Sequence, residues 1–158
     1  MAQGIYLTLL INFIFFSSSC QRKGEDCIYL IPKKFEGNIL IIFGQDDGVD
    51  SVHEGKNRLY KFDTTGILKT KFKENYGVQR NYFFYVDNVG SRTPIKYAIP
   101  TQLKGTNEVV IYNQENGNDF DKNKSAFRYF EMVTVAKEKN IDSIGNLRNN
   151  FMLKNLNQ

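Results

Sequence analysis

Four sets of residues have side chains whose type and spacing could do chemistry. His53, the only histidine, lies in Asp46-Asp47-Gly48-Val49-Asp50-Ser51-Val52-His53-Glu54, between carboxylates. A histidine so placed can act as a metal ligand or general base. The polar, glycine-containing run around it instead predicts a solvated loop position. Asp119-Phe120-Asp121-Lys122-Asn123 opens like a calcium loop, with oxygen donors at alternate positions. The pattern then fails, because Lys124 stands where the turn needs glycine and Phe130 where a bidentate glutamate belongs. Asp87, Glu108 and Glu131 are candidates for a facing carboxylate pair, the arrangement that hydrolyses glycosides. A chain of 158 residues with 17 acidic ones offers such pairs by composition alone, so no catalytic residue is assigned. The two cysteines, Cys20 and Cys27, form no C-x-x-C pair, and one histidine cannot complete a common Cys/His zinc set. No G-x-S-x-G turn is present, and neither a metal nor a cofactor is expected. A thiol at Cys27, at the start of a strand-prone run, predicts a small apolar packing role.

Cys20 is a different matter, because of what precedes it. Ile5 to Phe16 is apolar apart from Thr8 and Asn12. As a helix it would span about 18 Å at 1.5 Å per residue, short of a bilayer core of about 30 Å. That length suits the apolar region of a signal peptide. Ser17-Ser18-Ser19 then place small residues before the cysteine. The pattern resembles the lipobox of bacterial lipoproteins, and the resemblance implies that Cys20 receives a diacylglycerol and becomes the first residue of the mature chain. Two features depart from the family pattern: Ser17 replaces the usual Leu, as in Bacteroidota-type lipoproteins, and no Lys or Arg precedes the apolar run. The expected organisation is therefore a signal peptide over 1–19, a lipidated cysteine with a charged tether over 20–27, and one globular domain over 28–158. Lys23 followed by Glu25 and Asp26 also resembles the surface-export signal of such lipoproteins, with Gly24 interrupting it. The implied location is the cell envelope, lipid-anchored at the outer membrane on its surface or periplasmic face. The competing readings are a buried N-terminal helix and a secreted protein with a Cys20–Cys27 disulfide.

The elements of the body read as strands. Apolar residues are 41% and aromatics 14% of the chain, with no Trp, a composition that suits pleated, half-buried surfaces. Ile28-Tyr29-Leu30-Ile31 is a short apolar run closed by Pro32, which lacks a ladder donor. In Asn38 to Phe43 both faces are apolar, which predicts a central strand covered on each side. Asn57 to Phe62, Ile67-Leu68, Tyr82 to Val86, Ile95 to Ile99, Glu108 to Tyr112 and Phe127 to Val135 are further strands, and Asp63-Thr64-Thr65-Gly66 is a turn. Gly44 to Lys56, Lys69 to Asn81 and Asn113 to Lys124 read as loops. In the last strand Phe127, Tyr129, Val133 and Val135 share a face, with Glu131 the exception. Asp142 or Ser143 starts a helix whose Ile144, Leu147 and Phe151 form an apolar stripe. Short strands at such spacing predict a mainly β fold, a small sandwich or partly open barrel, with a short C-terminal α-helix.

The series Ile28-Tyr29-Leu30-Ile31-Pro32, Phe35-Glu36-Gly37, Ile39 to Phe43, Leu59 to Phe62 and Gly66-Ile67-Leu68-Lys69-Thr70 resembles the "YLIP" domain of unknown function of bacterial lipoproteins. These are strand and turn positions, so the resemblance implies a fold and no reaction. Asp50-Ser51-Val52, Asp63-Thr64-Thr65 and Asp142-Ser143-Ile144 resemble an O-glycosylated tripeptide of Bacteroidota-type envelope proteins, which would place sugars on Ser51, Thr64 and Ser143. The net charge of +4 is spread out, and Lys69-Thr70-Lys71-Phe72-Lys73 is too short for a nucleic-acid stripe. The expected partners are the membrane, through the N-terminal lipid, and an envelope protein or glycan, with Tyr82, Tyr85 and Tyr129 as candidate sugar-stacking rings. The sequence thus points to a non-catalytic lipid-anchored binding or scaffold module. An envelope hydrolase using paired carboxylates and an immunity or inhibitor lipoprotein are the alternatives.

Overall fold

A computed structural model describes residues 22–98, 101, 103–121 and 126–156. The leader and Cys20 lie outside the described residues. The apolar runs pair into two five-stranded sheets. The first has the order β3 (His53–Glu54), β4 (Asn57–Lys61), β1 (Cys27–Pro32), β6 (Asn81–Val86), β7 (Arg92–Pro94). The second has the order β5 (Ile67–Lys69), β2 (Gly37–Ile42), β10 (Ala126–Lys137), β9 (Val109–Asp121), β8 (Lys96–Tyr97). They stack as a sandwich that does not close into a barrel.

Alternation decides which side chains meet between the sheets. From β1 come Cys27, Tyr29 and Ile31; from β2, Ile39 and Ile41; from β10, Val133 and Val135. Tyr29 is central: its ring stacks on Phe83 at 4.2 Å and tilts against Tyr60 at 5.2 Å. Burying such a side chain contributes roughly 1.5–3 kcal/mol. The other face of β2 and β10 (Leu40, Ile42, Phe130 and Met132) packs against Leu156, Phe151 and Met152 of a C-terminal helical segment. β2 is therefore covered on both sides, as its sequence requires.

That segment is two helices, α1 (Ile141–Asn146) and α2 (Arg148–Leu156). They are joined at Leu147, which is exposed at 59%. The expected stripe of Ile144, Leu147 and Phe151 is thus corrected to Ile141, Ile144, Phe151, Met152 and Leu156. The residue preceding α1 is Asn140, without a side-chain cap, so neither Asp142 nor Ser143 starts the helix.

Two further expectations change. Of the expected loop from Asn113 to Lys124, Asn113 to Asp121 is the outer part of β9, paired with β10 from Glu115↔Met132 out to Asp121↔Ala126, and 122–124 lie outside the described residues. Backbone pairing sustains a strand whose polar side chains carry no apolar pattern. Gly117 allows this, since a Cβ there would lie 2.5 Å from the Phe130 ring. Of the expected Ile95 to Ile99 strand only Lys96–Tyr97 is strand, β8 at the edge of the second sheet; Ile95 is buried between it and β7, which edges the first, and Ile99 lies outside the described residues.

The segment read as a charged tether is also docked where it is described. Gly24 donates to Val78 O at 3.0 Å, and Val78 donates back to Arg22 O at 3.0 Å. Gly77 makes room: its φ is +108, and a Cβ there would lie 2.1 Å from Arg22 O. Charged residues ahead of a strand gave no sign of this, because the partner lies more than fifty residues on.

Candidate functional site

β1 and β4 run the same way, and β2 runs back against β10, so one end of the sandwich gathers several segments. These are the docked segment 22–26 ahead of β1, the loop from Phe72 to Arg80, and the outer β9–β10 hairpin. Two polar clusters lie at this end.

The first is buried. Glu131 is 3% exposed and on the inner face, in phase with Val133 and Val135. Tyr29 OH donates to Glu131 Oε1 at 2.6 Å, and Gln114 Nε2 donates to the same oxygen at 2.8 Å. Tyr97 OH donates in turn to Gln114 Oε1. The pairing slips between Met132 and Thr134, and Asn113 adopts φ 52. This bulge re-aims the following side chain, which brings Gln114 to the carboxyl. Among the described residues no cation joins the cluster, and burial pushes the Glu131 carboxyl up to about 7, against the pull of the Tyr29 and Gln114 hydrogen bonds. Burial likewise raises the Tyr29 phenol, and the nearby Glu131 charge adds to this. Glu131 borders a cavity of about 100 Å³ with Glu74, Asn75, Tyr76, Asn116 and Tyr129. A neighbouring cavity of about 230 Å³ is lined by Lys73, Glu74, Phe127, Arg128 and Tyr129.

The second cluster pins the segment around Glu25, ahead of β1. Arg58 is 8% exposed. Its Nε donates to Glu25 Oε2 at 2.7 Å, its second arm donates to Lys73 O at 2.5 Å, and its guanidinium lies 4.7 Å from the Phe72 ring centre. Glu25 Oε1 meets His53 Nε2 at 2.9 Å. The Arg58 hydrogen bond holds the Glu25 carboxyl below the usual carboxylate range. Asn75 grips the same segment, accepting from Glu25 N at 3.0 Å and donating to Glu25 O at 2.7 Å. Cys27 is buried, unpaired, and pushed up to about 11 by burial. Only a small fraction of such a thiol is thiolate at neutral pH, so its role is packing.

The other sequence candidates do not come together. His53 is exposed as expected, but in the short strand β3 and with its ring edge against Phe72. Asp87 closes its own turn by accepting from Val89 N and Ser91 N, and Glu108 pairs with Lys96. Only Glu131 of the three carboxylates is buried, and Asp87 and Glu108 each have partners elsewhere. Asp119 pairs with Arg128 at 3.0 Å on the β9–β10 ladder. Among the described residues no group of three or more His, Cys, Asp or Glu is placed to hold a metal. Tyr82 and Tyr85 alternate on β6 while Tyr129 is on the other sheet, so the three rings form no platform. Ser51, Thr64 and Ser143 are exposed.

Sequence reasoning missed Glu25, Arg58, Asn75, Tyr29 and Gln114. One signal was present: a lone glutamate in an otherwise apolar alternation marks a buried carboxyl in need of donors.

The fold and its clusters define a two-layer β-sandwich with a helical cover and no assembled catalytic group among the described residues. A family model covers residues 23–143 and is described as a family of unknown function (DUF6843); the chain belongs to that family. A crystal structure described as "Putative Lipoprotein from Bacillus anthracis" is similar, with a TM-score of 0.55 and 20% identity over 71% of this chain and 70% of that one. That likeness is one of fold. No curated protein matches. No helix among the described residues is long and apolar enough to cross a membrane.

Proposed function

We propose that this chain is an envelope lipoprotein, anchored by lipid on Cys20, whose sandwich serves as a non-catalytic binding or scaffold module. The observation that carries the reading is the series of apolar run, Ser17-Ser18-Ser19 and Cys20, placed directly before a folded domain. The domain's own strands begin at Cys27, so the leader can be removed without cutting into the sheets. The description of the similar Bacillus anthracis protein as a lipoprotein supports this reading. The finer likeness to Bacteroidota-type outer-membrane lipoproteins rests on Ser17, on Lys23 with its acidic neighbours, and on the "YLIP" series from Ile28 to Thr70. Glycan or protein partners would be the ligands of the module. The hydrolase alternative has less support, because the carboxylates it would use have separate partners.

Anchoring by several acyl chains holds a protein firmly, since each buried methylene contributes about 0.8 kcal/mol. Cys20→Ser is therefore expected to move the protein from the membrane fraction of its native host to the soluble fraction. Full retention of this variant in the membrane fraction would refute the proposal.

A further inference from the structure

We propose that the chain-entry end of the sandwich is a lipid-contacting surface, with Tyr76, Val78, Phe120 and Phe127 resting in the interface of the membrane that holds the anchor. This rests on the anchoring reading above. An unpacked tether over 20–27 would let the domain stand off by about 25 Å. The described residues remove that freedom. Gly24 and Arg22 are bonded to Val78, and Glu25 is bonded to Arg58 and Asn75. Only Gln21 then separates Cys20 from the docked Arg22, a reach of about 7 Å at most. A lipid on Cys20 would bring this end of the fold against the head groups.

The side chains at this end suit such a position. Val78 is 58% exposed and Tyr76 50%. Val78 sits beside the entering backbone, and Tyr76 makes an edge contact with Tyr129 at 6.3 Å. Tyr129 shares a cavity wall with Phe127. Phe127 is directly opposite Phe120 on the hairpin, with ring centres 5.4 Å apart, and the two are 59% and 49% exposed. Solvent-exposed phenylalanine pairs are unfavourable in water and favourable at the head-group boundary. The exposed cations Arg22, Lys23 and Lys73 flank the same end, where anionic head groups would attract them. At the opposite end Val89, 87% exposed in the turn that follows β6, gives a reference position.

The chain has no tryptophan, so a single introduced Trp reports on one position. The lipid-bearing full chain carrying F127W, F120W or V89W would be reconstituted into anionic phospholipid vesicles with brominated acyl chains. F127W and F120W should shift to the blue and lose most of their emission, whereas V89W should be unchanged. Co-flotation with unquenched F127W and F120W would show a domain standing off and overturn the inference alone. Quenching of V89W in place of F127W would overturn it by reversing the orientation. A blue shift of F127W without lipid that grows with protein concentration would place a second copy on the surface and overturn the lipid assignment. Failure to float, with no acyl mass on Cys20, would overturn the anchoring reading and this inference with it.

Discussion

The two ends of the sandwich are built on different terms. At the far end tight turns satisfy their own polar groups, beside one long-range clamp in which Glu36 accepts from Lys137 and Asn140. Asp63 accepts from the backbone and hydroxyl of Thr65, and Asp87 accepts from Val89 N and Ser91 N. The depression there, about 430 Å³ lined by Lys33, Lys34, Asp87, Asn88 and Val89, has no buried polar group at its base. At the chain-entry end local contacts such as Tyr76 OH to Glu74 are joined by several long-range ones. Arg58 reaches Glu25, Asn75 reaches back fifty residues, and Glu131 draws donors from two strands. Local turns fix topology at low cost, whereas long-range polar contacts fix a surface, and surfaces are where partners bind.

The largest test of that contrast is pH. The Glu131 carboxyl lies at about 7 in the fold, against 4.5 when solvated. Between those values the folded chain holds a proton that the unfolded chain has released, so stability falls as pH rises from 4.5 to 7 and is flat above. The span corresponds to roughly 3 kcal/mol. Glu131→Gln keeps an acceptor for Tyr29 and should lose this slope in urea denaturation across the window. An unchanged slope would show that the carboxyl is already ionised in the fold.

Arg58→Ala comes next. It removes charged hydrogen bonds to Glu25 and Lys73 O and the cover over Phe72, for an expected loss of about 2 kcal/mol. Asp87→Ala at the far end removes only turn contacts and should cost about 1 kcal/mol or less. Urea midpoints for the two variants check the order. In addition, the Arg58 variant alone should speed hydrogen exchange at Gly24 and Val78. Equal destabilisation, with those amides unaffected, would erase the distinction between the ends.

Much of the sandwich was legible because its strands carry dense apolar residues. Ile39 to Phe43 announces a strand covered on both sides, and β2 is one. The outer half of β9 was hidden, because a ladder built on backbone hydrogen bonds leaves polar side chains free of pattern. The site was less legible than the fold. Glu25, Arg58 and Asn75 are spread along the chain, and each is ordinary alone; only the folded register makes them one cluster. Glu131 was visible as an irregularity, but its partner Gln114 depends on a bulge at Asn113 that no local sequence signal marks.

The account stands on the start of the mature chain, and the mass of the N-terminal peptide from protein purified out of native membranes tests it most directly. The account predicts a peptide beginning at Cys20 with the added mass of a diacyl- or triacyl-glyceryl group. A peptide beginning at Met1, or a lipid-free cut elsewhere, would contradict it.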